Sequence, residues 1–197
     1  MADERIQELA LQFRRAQAEG ERDAFVQLVD LLQDRFYRIA YRVVGDPDTA
    51  LDVAQDAFVK IHDRIDRWDG DSRFTSWAYR VVTTLAIDGL RRRKREMKAW
   101  EGRAAEQPDH VEDASQDTVE REERAQLVAT VKAAIDELPP GQRAIVALRH
   151  YEGFTLKEIA EIRGCALGTV KSTLHQAFRS LRKTLGTETL SRAGQVA

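Results

Sequence analysis

The chain has 197 residues, 32% of them charged, with a net charge of −2 and one cysteine, Cys165. That length allows one or two domains with modest cores, and the balanced charge excludes a uniformly basic nucleic-acid coat. A lone cysteine excludes an internal disulfide and a cysteine-rich zinc site.

The histidines at 62, 110, 150 and 175 show no metal-ligand spacing. No apolar run approaches the roughly 18 residues of a membrane span, and the acidic, helical N-terminus does not read as a signal peptide. A cytoplasmic protein without metal or cofactor is expected.

Ile6, Leu9, Ala10 and Phe13 predict a short amphipathic helix that Gly20 ends. From Arg22, the apolar positions Phe25, Leu28, Val29, Leu32, Phe36, Ile39, Ala40 and Val43 follow the 3.6-residue period of a second helix, which Gly45 closes. Asp46-Pro47-Asp48 opens a third, with a capping aspartate, proline at the first position and an acid favoured by the macrodipole. Val53, Ala54, Ala57, Phe58, Ile61, Ile65 and Trp68 continue it. Asp69-Gly70-Asp71-Ser72 is a turn, and Phe74, Trp77, Ala78, Val81, Leu85 and Leu90 mark a fourth helix. No alternating apolar pattern predicts a strand.

Between Ala99 and Thr118 periodicity fades. Residues 101–124 carry nine acids against three bases, a composition that buries too little apolar surface to repay ordering, so a flexible acidic linker is expected. Helical spacing resumes at Leu127, Val128, Val131, Ile135 and Leu138, and Pro139-Pro140 precedes a helix through Ala144, Ile145 and Leu148. Residues 138–185 hold eight bases against three acids. The near-neutral total therefore hides an acidic segment between surfaces with basic patches.

Phe154–Arg182 predicts two helices around a tight turn. Thr155 and Glu158 form a capping box, Ile159 and Ile162 share a face, and Gly164 supplies a left-handed stop. Beyond Cys165 and Ala166, Val170, Leu174, Phe178, Leu181 and Leu185 make one apolar stripe. Lys171, Ser172, Thr173, His175, Gln176 and Arg179 occupy the other faces, as in a helix-turn-helix whose second helix enters a DNA major groove.

Arg91, Arg92, Arg93, Lys94 and Arg95 form the densest charge run, which phosphate contacts would neutralise. Trp68, Phe74, Trp77 and Tyr79 lie upstream, and aromatics beside a basic strip suit single-stranded DNA. Core packing is the simpler reading for Phe74 and for Trp77. Asp46, Asp48, Asp52 and Asp56 could be read as a metal-binding or catalytic carboxylate set, but capping accounts for the first two. An acidic strip that docks another protein is the better reading.

The two segments 20–95 and 138–183 resemble regions two and four of the extracytoplasmic-function sigma factors, carrying Asp-Val-Ala-Gln-Asp-Ala-Phe at 52–58 and the terminal helix-turn-helix. The resemblance implies an all-α, two-domain protein: residues 1–98 for polymerase docking and the −10 element, a linker at 99–118, residues 119–186 for the −35 element, and a tail at 187–197. It implies that Asp52, Gln55, Asp56 and Phe58 dock on the beta-prime clamp helices of core RNA polymerase, with the beta flap as a second contact. Trp68, Asp69, Gly70, Asp71, Ser72, Arg73 and Phe74 would hold an unpaired −10 base. Trp77, Arg80, Thr84 and the Arg91–Arg95 run would meet the upstream DNA. Thr155, Lys171, Ser172, Thr173, His175, Gln176 and Arg179 would read the −35 element.

The family often has asparagine where this chain has Thr84, and arginine where it has Thr173, Gln176 and Phe178. Each missing phosphate contact lowers the salt dependence of binding by about one unit of slope, so the −35 grip is expected to be the weaker. The linker would thread the polymerase and keep the two domains from collapsing onto each other. An anti-sigma factor is a further implied partner. A stand-alone helix-turn-helix regulator and a helical enzyme using the Asp46–Asp56 carboxylates are the competing readings.

Overall fold

A computed structural model describes residues 2–16, 23–100 and 119–193. Gly20, most of the acidic stretch at 99–118 and the last four residues of the tail lie outside them. The described residues contain α-helices, one 3₁₀ turn at Ile65–Arg67 and no strand. The helices are α1 (Ala2–Ala16), α2 (Asp23–Val44), α3 (Pro47–Arg64), α4 (Phe74–Trp100), α5 (Val119–Asp136), α6 (Pro140–His150), α7 (Leu156–Arg163) and α8 (Leu167–Ala193).

Helices α1 to α4 bury the predicted apolar stripes against one another. Phe36 lies at the centre, its ring stacked on Phe58 at 4.9 Å and meeting Tyr79 edge-on at 5.9 Å. Helix α3 ends at Arg64, so Ile65 and Trp68, expected to continue it, lie in the 3₁₀ turn and the loop after it, whereas the start of α3 follows the local chemistry expected of it. Asp46 caps α3, its carboxylate accepting the Thr49 N–H at 2.9 Å, with Pro47 at the first helical position. Gly45 carries a φ of +78° between α2 and α3, a conformation that glycine adopts without a Cβ penalty.

In the C-terminal half, Thr155 and Glu158 form the complete capping box of α7, and Gly164 ends it with a φ of +59°. Helix α8 is interrupted at Gly186, whose φ of 72° and ψ of 165° are not helical. Ala134, Leu138, Val146, Ala177, Leu181 and Leu185 form a small core between α5, α6 and α8.

The two halves do not stand apart. One buried cluster runs from Ile6 and Phe13 through the α2–α4 core into Ala144, Ile145, Leu148, Ile159, Ile162 and Val170. Helix α6 packs on α2 and α4, and α7 packs on α4. The expectation that the linker holds the domains away from each other is therefore not met in this conformation. Apolar residues of α6 and α7 outside the small core with α5 and α8 are buried against the α2–α4 side instead.

Arg143 fastens this junction. The residue is 2% exposed, and its guanidinium donates to the Val43 carbonyl at 2.9 Å and to the Asp136 carbonyl and lies 3.1 Å from the Asp136 carboxylate. Val43 and Asp136 are at the C-terminal ends of α2 and α5, where carbonyls lack intrahelical partners and the dipole favours a cation. Burial pushes the guanidinium's pKa down and Asp136 opposes that shift.

Candidate nucleic-acid interface

Three surfaces emerge from the predicted residues. On α3, Asp52, Gln55 and Asp56 are exposed along one face, as the i, i+3, i+4 spacing requires. Phe58 is half-buried and stacked on Phe36, so it packs against the core and is not part of the exposed acidic face. Leu51 and Val59, 50% and 58% exposed, flank the acids on the outer face. Sequence reading missed both. An apolar residue on the polar side of an amphipathic helix was the signal that could have found them.

The second surface is the loop 68–73 with the start of α4. Trp68 and Phe74 are buried, 1% and 0% exposed, and meet edge-on at 5.3 Å. Neither ring offers a face to a base here. They form the floor of the loop instead, as core packing suggested for Phe74. The Trp68 indole N–H donates to the Ser72 carbonyl at 3.0 Å and also reaches the Ser72 hydroxyl. Asp69 organises the turn, its carboxylate accepting the N–H groups of Asp71 and Ser72 and the Ser72 hydroxyl. Those bonds hold the Asp69 carboxyl below the usual carboxylate range. Gly70 has a φ of +86°, which the turn needs.

Two residues of α1 brace this loop. Gln7 accepts the Phe74 N–H at 2.8 Å and so caps α4, and Arg14 donates to the Asp69 carbonyl at 2.9 Å. They lie seven residues apart, two turns along one helix face, and nothing in their own neighbourhood marks them for the role. Asp69, Asp71, Ser72 and Arg73 remain exposed around the rim. Trp68→Phe keeps the buried ring but deletes the indole donor. It should cost about 1 kcal/mol and speed amide exchange at Asp71 and Ser72, as hydrogen-exchange mass spectrometry would show.

Further along α4, Trp77 is half-buried, whereas Arg80 and Thr84 are exposed. The Thr84 hydroxyl donates to the Arg80 carbonyl at 2.7 Å, within its own helix. Arg91, Arg92, Lys94 and Arg95 are exposed. Arg93 is half-buried and pairs with Asp46 at 3.2 Å. Arg91 and Arg92 lie near Asp88 and Glu96, at 3.5 and 3.9 Å. Exposed pairs of this kind contribute little and exchange readily for phosphate.

The third surface is α8. Lys171, Ser172, His175, Gln176 and Arg179 are exposed and Thr173 is half-buried, while Val170, Ala177 and Leu181 are buried beneath them. Phe178 is 36% exposed and receives the His150 ring edge-on at 5.4 Å. Thr155 is committed to the capping box, its hydroxyl donating to Glu158 at 2.7 Å.

Glu158 also accepts from Arg73 at 2.7 Å, so the box joins the second surface to the third. The bonds from the Thr155 N–H and hydroxyl, then Arg73, hold the Glu158 carboxyl below its ordinary 4.5. A depressed carboxyl stabilises the fold above the ordinary value, and that stabilisation is lost as pH falls through the depressed one. Glu158→Gln retains capping ability but not the ion pair. The gap between wild-type and variant melting temperatures should therefore close as pH drops from 6 to 3.

Among the described residues no group of three or more His, Cys, Asp and Glu side chains is placed to hold a metal ion. Asp46 is engaged with Thr49 and Arg93, which removes it from any such set with Asp48, Asp52 and Asp56. No described helix is long and apolar enough to cross a membrane.

Comparison with known proteins meets this geometry on the same segments. Residues 28–96 match Sigma-70 region 2 and residues 129–181 match Sigma-70, region 4. The chain is 32% identical over 183 residues to the ECF RNA polymerase sigma factor SigW of Bacillus subtilis, covering 84% of this chain and 91% of that one. It is 37% identical over 171 residues to the RNA polymerase sigma-E factor of Streptomyces avermitilis, covering 85% and 88%. Its fold is shared with the sigma factor RpoE of Bartonella quintana, solved in complex with the anti-sigma factor NepR, at a TM-score of 0.63 and 24% identity over 85% of this chain and 99% of that one. An acidic strip, a braced loop beside a basic helix and a helix-turn-helix thus lie on the segments that the family models match, and the chain belongs to the extracytoplasmic-function sigma factors of the sigma-70 family.

Proposed function

We propose that this protein divides promoter-directed initiation by RNA polymerase among its three surfaces. The α3 strip docks on the beta-prime clamp helices. The loop 68–73 and the exposed side of α4 receive the −10 strand, and α8 reads the −35 duplex. The observation that carries this is the α3 face, where Asp52, Gln55 and Asp56 lie exposed between the uncovered Leu51 and Val59. An acidic strip with an apolar border suits a protein partner and is a poor surface for DNA.

Trp68 and Phe74 act by shaping the loop, and Asp69, Asp71, Ser72 and Arg73 on its rim face the displaced base. Extruding a base costs a few kcal/mol, which a fitted pocket offsets. Melting needs no covalent step. Preferential binding of the single strand shifts the duplex equilibrium, so the protein is an initiation factor and not an enzyme. Its place of action is the cytoplasm, beside the polymerase. An anti-sigma factor is a further partner class, as the complexed RpoE structure suggests.

The residues 1–98, 99–118, 119–186 and 187–197 would serve as −10 domain, linker, −35 domain and tail. Reconstitution with core polymerase on a genomic promoter library tests the reading: discrete start sites that depend on the protein are expected. Tight binding of duplex promoter without polymerase would favour a stand-alone helix-turn-helix regulator instead.

A further inference from the structure

The loop 68–73 is anchored at both ends by one helix. Ile6, Leu9, Ala10 and Phe13 seat α1 in the bundle, and the Phe13 ring meets Phe25 at 4.8 Å. Arg5 donates to Gln27 at 2.9 Å and Asp3 lies 3.4 Å from Arg35, so α1 is also tied to α2 through exposed side chains. Seated in this way, α1 turns the stripe Gln7, Leu11 and Arg14 toward the loop.

Arg14 holds one end. Its guanidinium donates to the Asp69 carbonyl at 2.9 Å, and a Cβ at Gly70 would meet that guanidinium at 2.5 Å and Leu11 at 3.6 Å. The loop thus rests directly on α1, and close approach as well as φ requires glycine at 70. Gln7 holds the other end. Its amide oxygen accepts the Phe74 N–H at 2.8 Å, and its nitrogen reaches the Ser72 carbonyl at 3.4 Å. Phe74 opens α4, so its N–H has no intrahelical partner, and the Ser72 carbonyl is the one that the Trp68 indole also engages. Between the two anchors Asp71, Ser72 and Arg73 are exposed.

We infer that Gln7 and Arg14 are positioning residues for the −10 strand: by pinning both ends of the loop to one packed helix, they set how sharply its rim selects a base. This rests on the assignment of the loop to the −10 strand. Both residues lie upstream of residue 28, where the match to region 2 begins, so base selection extends to a helix outside the matched segment. The physical reason is preorganisation. Extruding a base costs a few kcal/mol that a fitted pocket must offset, and an unbraced loop loses part of its binding energy to its own ordering. Side chains that touch a ligand keep their geometry only when a supporting layer locks them. Asp69 couples the two layers, since its carboxylate orders Asp71 and Ser72 while its carbonyl is the atom that Arg14 holds. A strand with the wrong base gains nothing from an ordered rim. The cost of ordering therefore falls on the selected strand alone, and loss of a brace reduces discrimination.

The test is binding by holoenzyme, reconstituted from the full chain and core polymerase, to single-stranded oligonucleotides. These carry a −10 element taken from the promoter library, with each base replaced in turn. The wild type should prefer the selected strand. Arg14→Ala should shrink that preference about tenfold and Gln7→Leu about fivefold, the factors carried by one charge-assisted and one neutral hydrogen bond. Arg14→Lys keeps a cation for the Asp69 carbonyl and Gln7→Glu keeps an acceptor for the Phe74 N–H, so each should restore most of it. Affinity for core polymerase and for −35 duplex should not change. Arg14 is exposed, and the readout is a ratio between strands that a smaller folded fraction leaves unaltered. A wild type that discriminates, with a preference that survives both Arg14→Ala and Gln7→Leu, would overturn the inference and leave the −10 assignment standing. A wild type that initiates at promoters but does not discriminate among the strands would remove the −10 assignment, and the inference with it.

Discussion

Asp56→Arg should lower affinity for core RNA polymerase about a hundredfold and abolish protein-dependent transcription, with no loss of thermal stability. Asp56 is exposed on α3, makes no ion pair among the described residues, and is bordered by Asp52 and Val59. A reversed charge at the centre of a complementary interface replaces attraction with repulsion, a change of several kcal/mol, of which about 2.7 kcal/mol suffices for a hundredfold loss. On the free protein the same change is an exposed substitution and should stay within about 0.5 kcal/mol. Surface-immobilised core polymerase and a thermal melt together provide the check. Unchanged affinity would remove α3 from the docking role. The neighbouring Val59→Ala should weaken docking less, because it deletes apolar contact without adding repulsion.

The second large effect is expected at a residue with no assigned contact to DNA or polymerase. Arg143→Met should destabilise the protein by about 3 kcal/mol, since removing one partner of a buried charged network typically costs 3–5 kcal/mol. The lower end applies because Asp136 is 38% exposed and can recover water, whereas the carbonyls of Val43 and Asp136 lose a buried donor. For a chain of this size that corresponds to a fall of roughly 6–12 °C in melting temperature, measurable by calorimetry. Methionine preserves much of the volume, so a cavity does not confound the result. Arg143→Lys should recover only part of the loss, because an ammonium cannot span two helix ends as the planar fork does.

Local readings transferred well from sequence to structure where a few adjacent residues determine the outcome. The capping aspartate at 46, the capping box at 155–158 and the left-handed stop at Gly164 each depend on interactions within about four residues. The outward faces of α3 and α8 were legible for the same reason, as helical spacing alone puts Asp52, Gln55 and Asp56, or Lys171, His175 and Arg179, on one side.

Side chains whose roles depend on distant partners were not legible. Trp68 reads as a stacking aromatic beside a basic run, yet its indole is buried under the loop with its N–H on Ser72. Gln7 and Arg14 read as ordinary polar positions of α1, but they cap α4 and hold the Asp69 carbonyl across sixty residues of chain. Val128 reads as core by its period and is 56% exposed, because α5 turns that edge toward the space beside Tyr37 and Tyr41.

By itself the sequence determined the helices and the ends that carry a capping signal, since these are written in short-range periodicity and capping, while its motifs carried the resemblance to the family. Only the tertiary structure decided that the two halves share a core, that Arg143 joins the ends of α2 and α5, and that α7 lies over the first turns of α4. The physical reason is that burial belongs to pairs of surfaces. A helix specifies which of its faces is apolar, but not which of several apolar faces will cover it.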